Sequence, residues 1–439
     1  MPAVKQRKKN TFLFDLCIEN ARVVTPKGIL RGSVAVKGGI IKEVGESGLH
    51  AVKKVNAQGA WLLPGFFDTH LHGGAGFDSS CGRFDVAKGK FINKDDEYQR
   101  GIENVLRLHA KHGTTSMILS TATNSEENIS RFMHYGGQAA WKYAHGAILR
   151  GLDIEGVFIK HAAYAGAQSL NYLRVPDRNY IDRMMKLSGG ALKRILFAPE
   201  YGKPALEAIR HCGKLGIVPG VGHSGASYDE MMHAYEAGVK VFIHFGNGPM
   251  SQNFKSGGVI DAAFTLRDAV CAELICDGHH VNPKWIVSFL KNFKWNAVGV
   301  SDAMFVTGMA GQLKEFEMGG KICLVSKDVL RVKGGGGTLF GSVLTMDKAF
   351  ENFVNIFTSN LEGYLTGPLF DKPQSIDQAV VRASGLLSAN PARLYGLQRS
   401  IGSIEKGKRA DLLIMDIHSG KGRYICKVGK VFVGGIDER

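Results

Sequence analysis

At 439 residues the chain is long enough for one large domain or two, with a sizeable core. Hydrophobic residues at 44% and charged residues at 22% sit near the globular average, and no apolar run is long enough to span a bilayer, so no membrane partner is expected. The net charge of +15 favours an anionic partner, a phosphorylated metabolite rather than a nucleic acid, because no basic stripe interleaved with aromatics follows the opening MPAVKQRKKN.

The next stretch, TFLFDLCIEN, is broken by acids and lacks a small-residue cleavage site, so it does not read as a secretory signal and a cytoplasmic chain is expected. Seven cysteines, an odd number without CxxC spacing, are expected to be reduced structural thiols. From Leu13 to Leu63 short alternating segments (CIENARVVT, SVAVKGGIIKEV, AWLLP) lie between Gly-containing turns, the pattern of small antiparallel strands.

Eight short apolar segments then recur, with helical patterns between many of them: LLPGFFDTHLH, TTSMILSTA, AILRGLDIEG, RILFAPE, GIVPGVGHS, VKVFIHFGN, VCAELICDG and WNAVGVSDA. This is the signature of a parallel sheet with βα connections, either a closed barrel or a doubly wound open sheet. After the helix-like QAVVRASGLLSANPARLYGL, the tail returns to short strands, DLLIMDI, YICKVGK and VFVGG. The expected fold is α/β: a (β/α)8 TIM-like barrel over 65–399, with a small β-sandwich domain formed by 1–64 and 400–439.

The polar residues favour the barrel. His70 and His72 end the first segment, Glu155 the third, His223 the fifth, His244 the sixth and Asp302 the eighth. In a barrel all strand C-termini converge on one face, where six N/O ligands can meet. His70 and His72 share one face of an extended strand but prove little alone, since two histidines meet there readily by chance. With the others they form a thiolate-free ligand set that suits Zn, Fe, Mn, Co or Ni. One divalent metal ion fits, and so do two bridged by Glu155, with His70 and His72 on one and His223 and His244 on the other. Such a metal activates water and polarises a carbonyl under attack. Asp302 is then the natural proton shuttle, accepting from the water and delivering to a leaving amine, unless it only caps the helix expected after it.

The ordered set PGFFDTHLHGG, GLDIEG, LFAPE, GHSGAS, HFGNGPM, CDGHHV, VSDAM, GTLFGSVLTMDKA and ASGLLSANPARLYGL…GSIEKGKRADLLIMD resembles the amidohydrolase superfamily, and within it the deacetylases of phosphorylated N-acetyl amino sugars. The resemblance runs from near the N-terminus almost to the end. It implies a metal-dependent amide hydrolase, zinc first among the metals, usually a homodimer, acting on a small amino sugar. It carries Glu155, His223 and His244 over as metal ligands, Asp302 as acid/base, His280 as a sugar contact, and Asn247 and Gly248 as phosphate donors. Leu339 falls where the family packs a residue over the bound acyl group, although it also reads as core.

The sequence departs from the family at three places. Where those deacetylases carry a loop histidine that touches substrate, this chain has Gln168, with His161 nearby. The family's Asn-Ala-Met run reads Asn247-Gly248-Pro249-Met250, and Lys255 stands where an arginine reaches a neighbouring subunit's phosphate. Lys is a point charge without Arg's fork. The Gly-rich run from Val332 to Ser342 lacks the Gly-Lys-Ser/Thr ending of a phosphate loop and is expected as a loop leading into a helix. Glu200 is expected to satisfy backbone donors rather than to react. Two other readings stay open: hydrolysis of another small amide such as an N-acyl D-amino acid, and a catalytically silent binding module of the same fold.

Overall fold

The computed structural model describes residues 14–142, 145–248 and 250–438. The basic opening segment and Pro249 lie outside the described residues. Each of the eight apolar segments contributes one parallel strand: β1 (Phe66–Leu71), β2 (Thr114–Thr121), β3 (Ile148–Ile154), β4 (Leu192–Phe197), β5 (Val218–Val221), β6 (Val241–Phe242), β7 (Cys271–Ile275) and β8 (Ala297–Val300). They pair in chain order, every pair parallel. The strands are covered on both faces, which is why they read as near-continuous apolar runs rather than alternating ones.

A helix follows each strand, beginning with Asp95–Lys111 after β1 and ending with Met346–Phe357 after β8. The first shows how the pattern works. Tyr98, Ile102, Val105, Leu106 and His109, three or four residues apart, form its buried stripe, while Asp95, Asp96 and Glu97 in its first turn face the positive end of the helix dipole.

The ring is nearly closed, and polar atoms bring its first and last strands together. Just beyond β8, Asp302 N–H donates to His70 O (2.8 Å), and His72 N–H donates to Ala303 O (2.8 Å). Ser301 Oγ–H donates to the buried Asp68 carboxylate (2.5 Å). The closing contacts therefore lie beside the candidate metal ligands.

The two ends of the chain share a second sheet. Its order runs 436–437, 423–433, 412–420, 61–64, 14–25, 28–37 and 40–44, with 51–56 added in parallel to 14–25. The strands form one continuous hydrogen-bonded sheet around a core of its own, including Leu16, Val23, Val34, Leu62, Leu412 and Phe432. The segment LLPGFFDTHLH is thus divided: Trp61–Pro64 belongs to this sheet and Phe66–Leu71 to the barrel. Gly65 is the joint. A Cβ there would lie 2.1 Å from the Thr115 hydroxyl, so only glycine lets the chain cross. Among the described residues no helix is long and apolar enough to cross a membrane.

Candidate metal centre and cavity

His70, His72, Glu155, His223, His244 and Asp302 are all buried and all meet at the C-terminal mouth of the barrel. Three of them, His223 (φ +49°), His244 (φ +30°) and Asp302 (φ +54°), sit in the sparsely populated left-handed region. Each lies just past the last strand residue. The chain turns there at a cost.

Glu155 is the hub. Its Oε2 lies 2.8 Å from His70 Nε2 and 3.3 Å from His72 Nε2, while its Oε1 lies 3.2 Å from His223 Nε2 and 3.4 Å from His244 Nε2. Each carboxylate oxygen thus faces one histidine pair. Asp302 Oδ1 adds to the first pair, 3.2 Å from His72 Nε2. Two overlapping groups of potential ligand atoms result, His70–Glu155–His244 and His70–His72–Asp302.

The opposite ring nitrogens fix how three of the imidazoles point. His223 Nδ1–H donates to Tyr164 O (2.9 Å) and His244 Nδ1–H to Asn247 O (3.0 Å), leaving each Nε2 lone pair to the centre. His70 Nδ1 is 2.8 Å from Glu273 Oε2. Glu273 in turn accepts from Thr69 Oγ1 (3.1 Å) and from the fully buried Arg194, whose other nitrogen reaches Asp153 (2.8 Å). Sequence reasoning missed this arm, because Glu273 and Arg194 lie inside strand segments and only the closed ring brings them under His70.

The residues present fit a divalent cation. Burial and Arg194 pull the His70 pKa down, and Glu273 and Glu155 more than reverse this, to about 10. Burial lowers His72 too, yet Asp302 and Glu155 hold it well above its ordinary value. Glu155 is driven well below the carboxylate range, burial notwithstanding, by His70, His223 and His244. The cluster demands positive charge. A neutral imidazole has one N–H, so His70 between two carboxylates needs either a second proton or a cation on Nε2. The oxygen and imidazole donors suit borderline divalent metals and leave the choice among them open.

A cavity of about 840 Å³ opens above these ligands. Of the residues expected to touch substrate, Asn247, Gly248, Gln168, His280 and Leu339 line it. His280 Nδ1–H donates to Asp277 Oδ2 (2.6 Å), and its buried Nε2 has no protein partner. Gly248 has φ +65°, and a Cβ there would come 2.7 Å from His244 Cε1, so only glycine lets the backbone pass so near the ligands. Gln168 has both ends of its carboxamide engaged: Nε2 donates to Glu155 Oε1 (2.9 Å), and Oε1 accepts from Thr123 N–H (2.7 Å). It steadies the hub carboxylate.

Two residues fall outside. Lys255 is exposed and does not line the cavity, its backbone N–H held by Asn253 Oδ1 (2.9 Å). His161 is exposed and is likewise absent from the lining. Glu200 accepts from Ser224 Oγ (2.6 Å) and Gly225 N–H (2.7 Å), steadying the turn that carries His223, as expected of a residue that satisfies donors.

Residues 376–435 match the amidohydrolase family. Over 411 residues the chain is 29% identical to the N-acetylglucosamine-6-phosphate deacetylase of Lysinibacillus sphaericus, covering 93% of this chain and 95% of that protein. It is 28% identical over 355 residues to the N-acetylgalactosamine-6-phosphate deacetylase of Escherichia coli, covering 81% and 83%. The crystal structure of N-acetyl-D-glucosamine-6-phosphate deacetylase from Mycobacterium smegmatis superposes with a TM-score of 0.78 at 26% identity, covering 96% of this chain and 99% of that one.

Proposed function

We propose that this chain, which resembles the amidohydrolase superfamily and within it the N-acetylglucosamine-6-phosphate deacetylases, removes the N-acetyl group of a 6-phosphorylated amino sugar, giving acetate and the free amine. The observation that carries the reading is the buried set of six candidate ligands, Glu155 with the other five gathered near it, at the floor of a cavity larger than a monosaccharide needs. Both sugar epimers occur among the relatives, so the gluco and galacto forms are the two candidates.

His70, His72, Glu155, His223, His244 and Asp302 would hold a divalent cation, zinc first and Fe, Mn, Co or Ni after it, which would supply Lewis-acid polarisation of the amide and acidify a water. The division of Glu155 between two histidine pairs supports two ions per subunit. Asp302 takes the proton of the attacking water and returns it to the leaving nitrogen. Although burial alone would raise its pKa, His72 and His70 hold it below the usual carboxylate range, so it begins ionised and ready to accept. His280, with Nδ1–H committed to Asp277, offers the Nε2 lone pair to a sugar hydroxyl. Asn247 and Gly248 line the cavity, Gly248 against His244, and Leu339 lines it too. A homodimer acting in the cytoplasm completes the reading.

The test is acetate release from N-acetylglucosamine and N-acetylgalactosamine, each with and without 6-phosphate, beside N-acetyl D-amino acids, after loading with Zn, Fe, Mn, Co or Ni. A phosphorylated sugar should be turned over fastest. If acylated amino acids are hydrolysed as fast as every sugar, the substrate assignment is wrong; if no metal restores any hydrolysis, the silent binding module replaces it.

A further inference from the structure

Of the four imidazoles at the candidate centre, three have an acceptor for the ring nitrogen that faces away from it: Tyr164 O for His223, Asn247 O for His244 and Glu273 for His70. His72 is the exception. Its Nε2 is turned to Glu155 and Asp302, so Nδ1 carries the N–H, and that nitrogen is buried with no hydrogen-bond partner among the described residues. A buried N–H without an acceptor is costly.

The chain brings an acceptor close by. After His72 it makes a tight hairpin in which Gly73 pairs with Asp78 and Gly74 with Phe77, and Ser79 N–H donates back to His72 O (2.9 Å). Asp78 is thereby carried back beside the ligand strand. Its side chain is fully buried: Oδ1 accepts from Ser80 N–H (2.8 Å) and Cys81 N–H (3.0 Å), while Oδ2 has no partner among the described residues. Burial raises the Asp78 pKa to about 6, and His72 is the charge that opposes this most. The Cys81 thiol, held up by burial and by Asp78 itself, is only a weak donor. A third buried atom without a partner belongs to the same neighbourhood. It is the hydroxyl of Tyr98, on helix Asp95–Lys111, whose ring stands edge-on to Phe77 with centroids 5.3 Å apart and whose pKa is raised by burial, then by Cys81 and Asp78. Two donors and one acceptor, none bonded to another, are what a buried water joins, since such waters make about three hydrogen bonds to groups otherwise unsatisfied.

We propose that Asp78 is a positioning residue for the candidate cation centre, holding His72 through one bridging water; this rests on the cation reading of the cluster above. The water takes the His72 Nδ1–H and the Tyr98 O–H and donates to Asp78 Oδ2. The imidazole is thereby fixed with its Nε2 lone pair toward the cluster, and the carboxylate makes that lone pair more basic, as Glu273 does for His70 by direct contact. Asp78 does not line the cavity, so it acts on cation affinity rather than on substrate.

The experiment strips the wild type, Asp78→Asn and Asp78→Ala of metal and titrates each with Zn against a competing chelator. Asn keeps an acceptor for the Ser80 and Cys81 N–H groups but puts a donor in place of Oδ2, whereas Ala removes both oxygens. Both variants should bind Zn roughly ten- to a hundredfold more weakly and regain full Zn content in excess. If Asp78→Asn binds Zn as the wild type does and only Asp78→Ala loses affinity, Asp78 merely caps the turn and the inference is overturned. A second measurement needs no Asp78 variant to fold. In the Zn-loaded wild type carrying isotope-labelled histidine, NMR should show a slowly exchanging proton on His72 Nδ1, assigned by its loss in His72→Gln. A bare Nδ1, or a proton that exchanges as fast as that of an exposed imidazole, overturns the inference as well. A wild type that takes up no Zn overturns the cation reading and this inference with it.

Discussion

His70 is the residue on which the candidate centre turns, because its two ring nitrogens are claimed by two buried carboxylates, Glu155 and Glu273, each at 2.8 Å. Glu273 holds the Nδ1–H, which turns Nε2 toward Glu155 and the rest of the cluster; loss of such an outer partner lowers cation affinity or activity. Asp302 has the complementary position, at the edge of the cluster and in the wall of the cavity. The two residues should therefore fail differently. Glu273→Gln should lower cation affinity roughly ten- to a hundredfold, read by metal analysis after dialysis, with turnover restored by excess cation. Asp302→Asn should retain most of its cation and lose turnover by about 10² to 10⁴ at any cation concentration. If Asp302→Asn turns over normally, or Glu273→Gln keeps full cation content with the wild-type dialysis profile, the corresponding role is wrong.

At the level of elements, the strand ends were the most legible part of the sequence. Runs such as GLDIEG and VSDAM show a buried strand meeting a polar terminus, and the parallel-sheet pattern places those termini on one face. Less legible was whatever depends on one element pressing on another. Nothing local in CAELI or LKRIL says that Glu273 and Arg194 meet, and nothing in VKGGGG says that the loop folds back as a cavity arm. The strap after His72 is a further case. Strands 73–74, 77–78, 82–85 and 90–92 form a small sheet, and Phe77 from it lies fully buried against helix Asp95–Lys111 at Gly101. A Cβ on Gly101 would come 2.0 Å from the Phe77 ring. Helix propensity alone makes Gly101→Ala stabilising by up to about 1 kcal/mol, whereas overpacking costs about 1 to 3 kcal/mol. The clash should win and lower the denaturation midpoint. Combining it with Phe77→Leu, which frees the space, should recover much of the loss; additive losses in the double variant would show that the contact is not what matters.

For the molecule as a whole, the candidate centre is also the closure of the barrel. The first and last strands meet through Asp302 N–H to His70 O and His72 N–H to Ala303 O, and three of the six candidate ligands, His70, His72 and Asp302, belong to those residues. A cation held by His70, His72 and Asp302 would therefore tie the two edges of the ring. Binding to the folded state alone stabilises it by about 2.7 kcal/mol at a hundredfold excess over Kd. Chelation should lower the thermal midpoint and readdition should restore it. The size of the effect should depend on pH with a definite sign. Without a cation, His70 has its pKa raised to about 10 and so carries an extra proton through the neutral range. A cation must displace that proton, and each unit rise in pH lowers the cost of doing so by about 1.4 kcal/mol per proton released. The gap between the midpoints of the loaded and chelated protein should then widen steadily from roughly pH 6 to pH 8, the cation being held at one subsaturating free concentration. A gap that is constant or narrows over that range would mean that no proton leaves on binding, and that His70 is not a ligand.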